Sequence, residues 1–352
     1  MRHRPGPAPL GRPARLLGLV CVILAAIASP AIARPKIDVI VLTNGDRLTG
    51  EIVSLESGKL TLKTDSMGTL SIEWDNIASI SSTQRFQFES EDGARFTGTI
   101  EEGAAPATLR VVTDNTTAEI ELALIVRIGA IEKGFWNRLD GSLSSGFNYT
   151  WSSRVGTLNV DAEVHSRTER WERDWSLSTY ITEQDAGTSS QNDMTFLSRR
   201  VYKSRWFSMI MGAAQRNDEM GIRLRVLAAG GAGRHIVQTN HAQFTVMGGL
   251  DVNQEAVTGG QSETSAEVLA GLSWSVFRYD YPETNLKMGF IVFPSLTVSG
   301  RVRGQVNVSL NRELFKDFFW GLSAYDTYDS KPSATLEASN DWGFVNTLGW
   351  KF

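Results

Sequence analysis

The chain has 352 residues, of which 41% are apolar and 21% charged, with 35 Lys and Arg against 39 Asp and Glu. This apolar composition excludes a disordered chain, and a single Cys excludes a disulfide scaffold and a Cys-based zinc site. After the N-terminus no apolar run reaches about 18 residues, which excludes a multi-helix membrane protein. The same averages fit a membrane β-barrel, because its strands alternate between apolar and polar residues.

Residues 1–33 have the pattern of a secretory signal peptide. Four Arg and no acidic residue precede an apolar core at 16–28, and Ala31-Ile32-Ala33 fits a small-residue cleavage site. The alternative, a permanent anchor, is disfavoured because the core is too short to span a bilayer. Cleavage after Ala33 would remove Cys21 and leave 31 Lys and Arg against 39 Asp and Glu. Such an acidic export product argues against nucleic acid as a partner.

Residues 36–131 contain an internal repeat. Residues 44–52 align with residues 91–100 at a spacing of 48, with one residue of slack at the turn. Asn44-Gly45 and Asp92-Gly93 are hairpin signals. Short alternating segments predict two small SH3- or Sm-like β units, at 36–82 and 83–131. Neither copy has the basic cluster expected of an RNA-binding Sm unit, and a contact with peptidoglycan or a periplasmic protein stays open.

From residue 137 to residue 352 the alternation becomes longer and stricter. In 301–311 the even positions are Val, Gly, Val, Val and Leu, whereas the odd positions are Arg, Arg, Gln, Asn, Ser and Asn. Such segments exceed the usual length of about 5–6 residues in globular strands and fit strands that cross a bilayer in about 9–11 residues. The pattern predicts an antiparallel transmembrane β-barrel of about twelve strands, with ten as the alternative. The strand centres are near residues 145, 161, 177, 197, 211, 227, 247, 270, 291, 306, 322 and 345.

Tryptophan is concentrated in this region, since nine of the ten Trp lie from residue 136 onward. An indole keeps its ring in the apolar phase and its N–H in water, so Trp near segment ends predicts girdles at the membrane interfaces. The girdle candidates are Trp151, Trp171, Trp206, Trp274, Trp320, Trp342 and Trp350. An even number of strands places both barrel ends, and therefore the N-terminal tandem, in the periplasm of a bacterial envelope.

The C-terminal part carries a family resemblance. Residues 325–332 read Tyr-Asp-Thr-Tyr-Asp-Ser-Lys-Pro and residues 347–352 read Thr-Leu-Gly-Trp-Lys-Phe. Over about residues 135–352 the sequence resembles the YdiY-type salt-induced outer-membrane protein family, a family of unknown function. The resemblance implies an outer-membrane barrel and carries no catalytic, cofactor or ligand residue.

The last strand also has the pattern of an insertion signal. Leu348, Trp350 and Phe352 share one parity, and Phe352 is the last residue of the sequence. This resembles the signal that the barrel assembly machinery reads in outer-membrane proteins. The partners expected are therefore outer-membrane lipid and, during biogenesis, that machinery and periplasmic chaperones.

The polar positions of the barrel supply the candidates for function. Mixed charges facing a lumen can pair with one another and fill it, or can line a narrow path for ions. The principal lumen-facing candidates are Asp161, Glu163, His165, Arg167, Arg223, Arg225, Glu267, Arg301 and Arg303. Further charged residues at the polar positions of the alternating segments are Asp140, Glu172, Asp174 and Lys287.

No catalytic, metal or cofactor site is predicted. A lipid-active enzyme would need a Ser and a His two apart on one strand, and position 167, two residues after His165, is Arg. The sequence therefore favours an outer-membrane barrel with a structural or stress-related role and no catalysis. The alternatives are a narrow channel for ions or small solutes and, as the weakest, a lipid-active enzyme.

Overall fold

The computed structural model describes nine stretches of the chain: 36–103, 107–113, 116–131, 139–168, 170–185, 187–218, 222–257, 262–331 and 340–350. The candidate signal peptide and Phe352 lie outside the described residues. Within the described stretches, no helix has the length and apolarity that crossing a membrane requires.

Nine strands form an N-terminal domain. They are β1 (Asp38–Leu42), β2 (Arg47–Glu56), β3 (Lys59–Lys63), β4 (Thr69–Glu73), β5 (Ile77–Ser90), β6 (Arg95–Glu102), β7 (Thr108–Val112), β8 (Thr117–Glu121) and β9 (Ile125–Ala130). The strands pair in the order β4-β3-β2-β1-β5-β6-β7-β8, and β9 pairs with both β2 and β5. Each half is thus an antiparallel meander whose last strand returns to pair with its first, as in SH3-like barrels.

The two halves repeat each other at the level of single hydrogen bonds. Leu42 N donates to Asp46 O (2.9 Å), and Ser90 N donates to Ala94 O (3.0 Å) at the same turn of the second half. These donors and acceptors are 48 residues apart, so the one residue of slack assumed at this turn is wrong. The irregularity lies further on, because β3 and β7 begin 49 residues apart.

Strand β5 belongs to both halves of the domain. Its first part pairs with β1, and its last part pairs with β6 and β9. The buried side chains of both halves form one cluster that includes Ile40, Phe88 and Ile128, all fully buried. Trp74 Nε1 of the first half donates to Leu122 O of the second (2.7 Å). The boundary predicted between residues 82 and 83 therefore falls inside a continuous strand, and the two units share one core.

Twelve further strands form a second, antiparallel sheet. They are β10 (Leu139–Thr150), β11 (Val155–Arg167), β12 (Trp171–Gln184), β13 (Gly187–Val201), β14 (Trp206–Asn217), β15 (Ile222–Gln238), β16 (Ala242–Val257), β17 (Glu263–Arg278), β18 (Thr284–Pro294), β19 (Val302–Phe315), β20 (Phe318–Asp329) and β21 (Asn340–Trp350). Every predicted centre falls inside one of them. The twelve-strand prediction is confirmed, and the ten-strand alternative is wrong.

Each strand of this sheet pairs with the next along the chain, from β10 to β21. The strands are 11 to 17 residues long, about two to three times the usual length in globular proteins. Register shifts interrupt only the β14–β15, β15–β16 and β19–β20 ladders among those described for this sheet. No ladder between the described residues of β10 and β21 joins the two ends of the path.

Candidate functional site

Over much of the twelve-stranded sheet, the register separates an apolar face from a polar face. Leu286, Leu310 and Leu322 lie opposite one another across β18, β19 and β20. One residue further along β18, Lys287 lies opposite Ser309, which lies opposite Ser323. Side chains alternate between faces along a strand, so these two rows project on opposite sides of the sheet. We call these sides the apolar face and the polar face.

The N-terminal domain is docked on one end of this sheet. Asn240, in the β15–β16 turn, donates from Nδ2 to Ile125 O (2.9 Å). Tyr279, in the β17–β18 turn, donates from Oη to Ser57 O (2.6 Å). The turns at this end, which lie before the even-numbered strands, form what we call the domain end; the opposite end is the far end.

An ionic cluster joins the domain to the polar face of the sheet. Arg127 of β9 bonds to Glu56 of β2 and reaches across to Glu172 of β12, at 2.8 Å. Arg167 and Arg199 lie within 3.6 and 3.7 Å of the same Glu172 carboxylate. The Arg127 and Glu172 side chains retain only 20% and 10% of their exposure, so their charges are largely withdrawn from water. Removing one partner of such a pair leaves a desolvated charge, which is strongly destabilising.

The ionisation of the domain's own groups follows from this cluster. Burial raises the pKa of Glu56, but the adjacent Arg127 guanidinium outweighs it and holds the pKa below its ordinary value. Burial opposes the charge of Arg127, yet Glu172 and Glu56 hold its pKa above its ordinary value. A cavity of about 510 Å³ lies beside the cluster and is lined by residues of both domain and sheet.

The Trp candidates lie mostly at the domain end. Trp171 and Trp206 are the first residues of β12 and β14. Trp274, Trp320 and Trp350 also lie towards this end, on the apolar face. The remaining two candidates, Trp151 and Trp342, lie at the far end and are 83% and 63% exposed. Leu348 and Trp350, two residues of the predicted insertion signal, share the apolar face and are 68% and 67% exposed.

Most lumen-facing candidates share the polar face. These are Asp161, Glu163, His165, Arg167, Arg225, Glu267 and Arg303. Arg301 lies in the turn before β19 and bonds to Asp329 (2.6 Å). Arg223 is exposed at a register shift between Ile222 and Leu224, where the alternation is interrupted.

The charged groups of the polar face are only partly paired. Arg225 bonds to Glu255 (2.8 Å) and Arg303 bonds to Glu267. By contrast, Glu163, Asp140 and Lys287 have no ion-pair partner among the described residues. Lys287 borders a cavity of about 530 Å³ against strands β17–β21. The described lining of this cavity includes Ser273, Ser275, Asn307, Ser309, Ser323 and Tyr325.

Asp251 is a buried group that sequence reasoning missed. It lies on the polar face of β16, is 1% exposed, and has no hydrogen-bond donor on either carboxylate oxygen. The residue opposite it on β17 is Glu267, which is fully buried and forms an ion pair with Arg303. Two buried carboxylates therefore face one guanidinium. The only signal in the sequence was the alternation along β16, in which Asp251 falls at a polar position.

The described residues assemble no metal site, and no nucleophile lies beside His165 among them. They contain no group of three His, Cys, Asp or Glu able to hold a metal. His165 Nδ1 lies 2.8 Å from Asp174 Oδ1, and its neighbours across the two adjacent ladders are Asp140 and Asp174. A His–carboxylate pair needs an adjacent nucleophile to catalyse acyl transfer, and the described contacts of His165 include no hydroxyl.

The comparison with protein families gives one match. Residues 146–352 match the model of the family described as "Protein of unknown function, DUF481". The chain belongs to this family. Neither the curated proteins nor the solved structures contain a match to the chain.

The DUF481 region coincides with the twelve-stranded sheet, from within β10 to the C-terminus. The resemblance inferred from the terminal residues is thereby confirmed. The N-terminal domain, which supplies Glu56 and Arg127, lies outside the matched residues. The ionic cluster is therefore a contact between the DUF481 region and a second domain.

We predict that Asp251→Asn stabilises the protein. The amide removes a buried charge that has no counterion of its own, so the free energy of unfolding should rise by about 1–3 kcal/mol. Urea unfolding of the protein in detergent, followed by circular dichroism, measures the change.

The matched variant at the opposite position is Glu267→Gln. It leaves Arg303 without its carboxylate, so the free energy of unfolding should fall by about 3 kcal/mol. The interpretation of Asp251 fails if Asp251→Asn destabilises the protein as Glu267→Gln does.

We predict that Asp75→Cys and His241→Cys can be cross-linked in the folded protein. His241 Nε2 lies 3.3 Å from Asp75 Oδ2 across the domain junction. The only cysteine of the sequence is Cys21, so a chain beginning after residue 33 carries no competing thiol. A short bis-maleimide should join most chains, as measured by mass spectrometry of the linked peptides.

The control pairs Asp75→Cys with Asp185→Cys, in the β12–β13 turn at the far end, and should give no linked peptide. Adding Arg127→Gln to the first pair should lower its yield several-fold, because Glu172 loses its cross-domain partner. Equal yields from the near and far pairs would contradict the docked arrangement.

Proposed function

We propose that the chain is an outer-membrane β-barrel protein of the bacterial cell envelope, with the N-terminal domain in the periplasm and a structural or stress-related role without catalysis. One observation carries the proposal: long strands hold large apolar side chains outward on one continuous face. Leu250 is 58%, Val252 50% and Ile210 56% exposed. A contiguous apolar surface of this kind is unfavourable in water and matches the interior of a bilayer.

The proposal includes closure of the sheet by pairing of β10 with β21. A strand edge exposed to hydrocarbon would leave its backbone N–H and C=O groups unsatisfied, at several kcal/mol each. The DUF481 family and the all-β fold are compatible with such a barrel. Partners in this role are outer-membrane lipid, the barrel assembly machinery and periplasmic chaperones. Peptidoglycan or a periplasmic protein is a candidate partner of the N-terminal domain.

Substitution by Arg at two depths tests whether the apolar face contacts lipid. Leu250 lies at the middle of β16 and Leu224 near the far end of β15, and both are exposed on the apolar face. In a membrane barrel, Leu250→Arg should cost about 2–4 kcal/mol of unfolding free energy and Leu224→Arg about 0–1 kcal/mol.

The measurement is urea unfolding of the protein folded into phospholipid vesicles. A face exposed to water would tolerate both substitutions within about 0.5 kcal/mol. Equal, small effects of Leu250→Arg and Leu224→Arg would therefore reject the membrane assignment.

A narrow channel is the second candidate function. The observation that favours it is a group of carboxylates on the polar face without a described counterion. Asp140 and Glu163 have no ion-pair partner among the described residues. Asp161, beside them, accepts its described hydrogen bond from the neutral Ser178. Charges that line a hydrated path select ions of the opposite sign. Such a path would conduct cations in preference to anions.

Planar-bilayer recordings of the reconstituted protein test this candidate. A cation-selective conductance is expected, with the cation-to-anion permeability ratio falling at least two-fold in Asp161→Asn/Glu163→Gln. Glu121→Gln is the control and should leave the ratio unchanged, because Glu121 is an exposed residue of β8 in the N-terminal domain and does not lie on the polar face. Bilayers that stay silent over a range of voltages would reject a channel and leave the structural role.

A further inference from the structure

We propose that the apolar face carries a binding site for the phosphate headgroup of an anionic phospholipid, formed at the domain end by Arg173, Arg200 and Arg234. This inference rests on the proposed membrane function and adds a specific lipid class to it. We call these three residues the arginine patch.

The arginine patch lies on adjoining strands and faces outward. Arg173 follows Trp171 on β12 by two residues, and so shares its face. Arg200 of β13 lies directly opposite Trp171. Arg234 of β15 lies directly opposite Trp206 of β14. Three cations and two indoles therefore occupy one continuous area at the edge of the apolar band.

Aromatic rings, and no carboxylates, hold these guanidinium groups. The Arg173 and Arg200 guanidinium carbons lie 5.3 and 5.6 Å from the centre of the Trp171 ring. Arg200 also lies 5.4 Å from the Tyr202 ring, and Arg234 lies 5.6 Å from the Trp206 ring. A ring face attracts a cation but leaves its N–H donors free to bind an anion.

None of the three arginines forms an ion pair with a described residue. Arg234 Nε is buried and has no hydrogen-bond partner. The far end differs, because the outward-facing Arg216 of β14 donates from Nε to Asp218 (2.9 Å). The patch is therefore an uncompensated positive area, whereas Arg216 on the same face is neutralised by Asp218.

The surroundings of the patch indicate a lipid headgroup. Trp171 and Trp206 are the first residues of their strands at the domain end. In a membrane barrel, indoles at strand ends lie at the level of the lipid headgroups. Guanidinium groups bind phosphate oxygens through parallel N–H donors. Below the patch, the apolar face continues through Phe196 and Ile210 and complements acyl chains. Cationic residues at this depth favour anionic over zwitterionic lipids.

The test compares lipid retention by the full-length mature protein. The protein is reconstituted in mixed phosphatidylglycerol and phosphatidylcholine vesicles, released in mild detergent and analysed by native mass spectrometry. The wild type should retain phosphatidylglycerol at least five-fold more often than phosphatidylcholine. Arg173→Gln/Arg200→Gln/Arg234→Gln should lose this preference, and Arg216→Gln should keep it.

Single variants protect the test from a folding defect. Arg200→Gln alone should reduce the preference about two-fold, because Arg200 contacts both Trp171 and Tyr202. Inorganic phosphate at 10 mM, roughly the level that would occupy a weak free-anion site, should not displace the lipid.

Several outcomes would overturn the proposal. These are equal retention of both lipids by the wild type, unchanged preference in the triple variant, or displacement by free phosphate. Failure of the membrane function is distinguishable, because the protein would then not float with vesicles of either composition. A floating protein without lipid preference would overturn the headgroup site alone.

Discussion

The two-residue period of the β-strand is the constraint on which the DUF481 region depends. Twelve strands pair in one continuous path, so the register of each ladder decides which face the side chains of the next strand occupy. A slip of one residue in a single ladder would move Asp251 or Lys287 onto the apolar face and a Leu onto the polar face. Where the register does shift, as beside Arg223, a charged residue is exposed near a strand end rather than carried into the middle of a face.

Buried carboxylates in different parts of this sheet differ in whether they have a positively charged partner. At the domain end, Glu172 receives Arg127 from the other domain as well as Arg167 and Arg199 from its own strands. The domain adds Arg127 and Glu56 to this cluster, so ion pairs that are largely withdrawn from water extend across the junction. Further along the polar face, Asp251 has no such partner. The first arrangement makes docking of the domain part of the stability of the sheet, whereas the second leaves an unfavourable charge in place.

The sequence was informative wherever a pattern is local and periodic. Alternation located all twelve strands, and the 48-residue repeat located equivalent turns, because both depend on residues close along the chain. It could not show that β5 serves both halves of the N-terminal domain, since strand pairing is non-local. Nor could it reveal that Arg127 meets Glu172, 45 residues away and in another domain. Asp251 was hidden for the same reason, because a lack of donors is visible only once neighbouring strands are in place.

Arg216 and Arg200 lie at opposite ends of the apolar face and have different partners, and in the proposed orientation this difference bears on where the docked domain sits relative to the membrane. Arg216 at the far end is neutralised by Asp218, whereas Arg200 at the domain end is held only by aromatic rings. An unpaired cation among indoles is stable where anionic headgroups can approach it. In the proposed orientation that end faces the periplasm, so one level of the barrel would anchor both the docked domain and the inner leaflet. The constraint is mutual, because a barrel displaced along the membrane normal would move Trp171 and Trp206 away from the interface and draw the domain towards lipid.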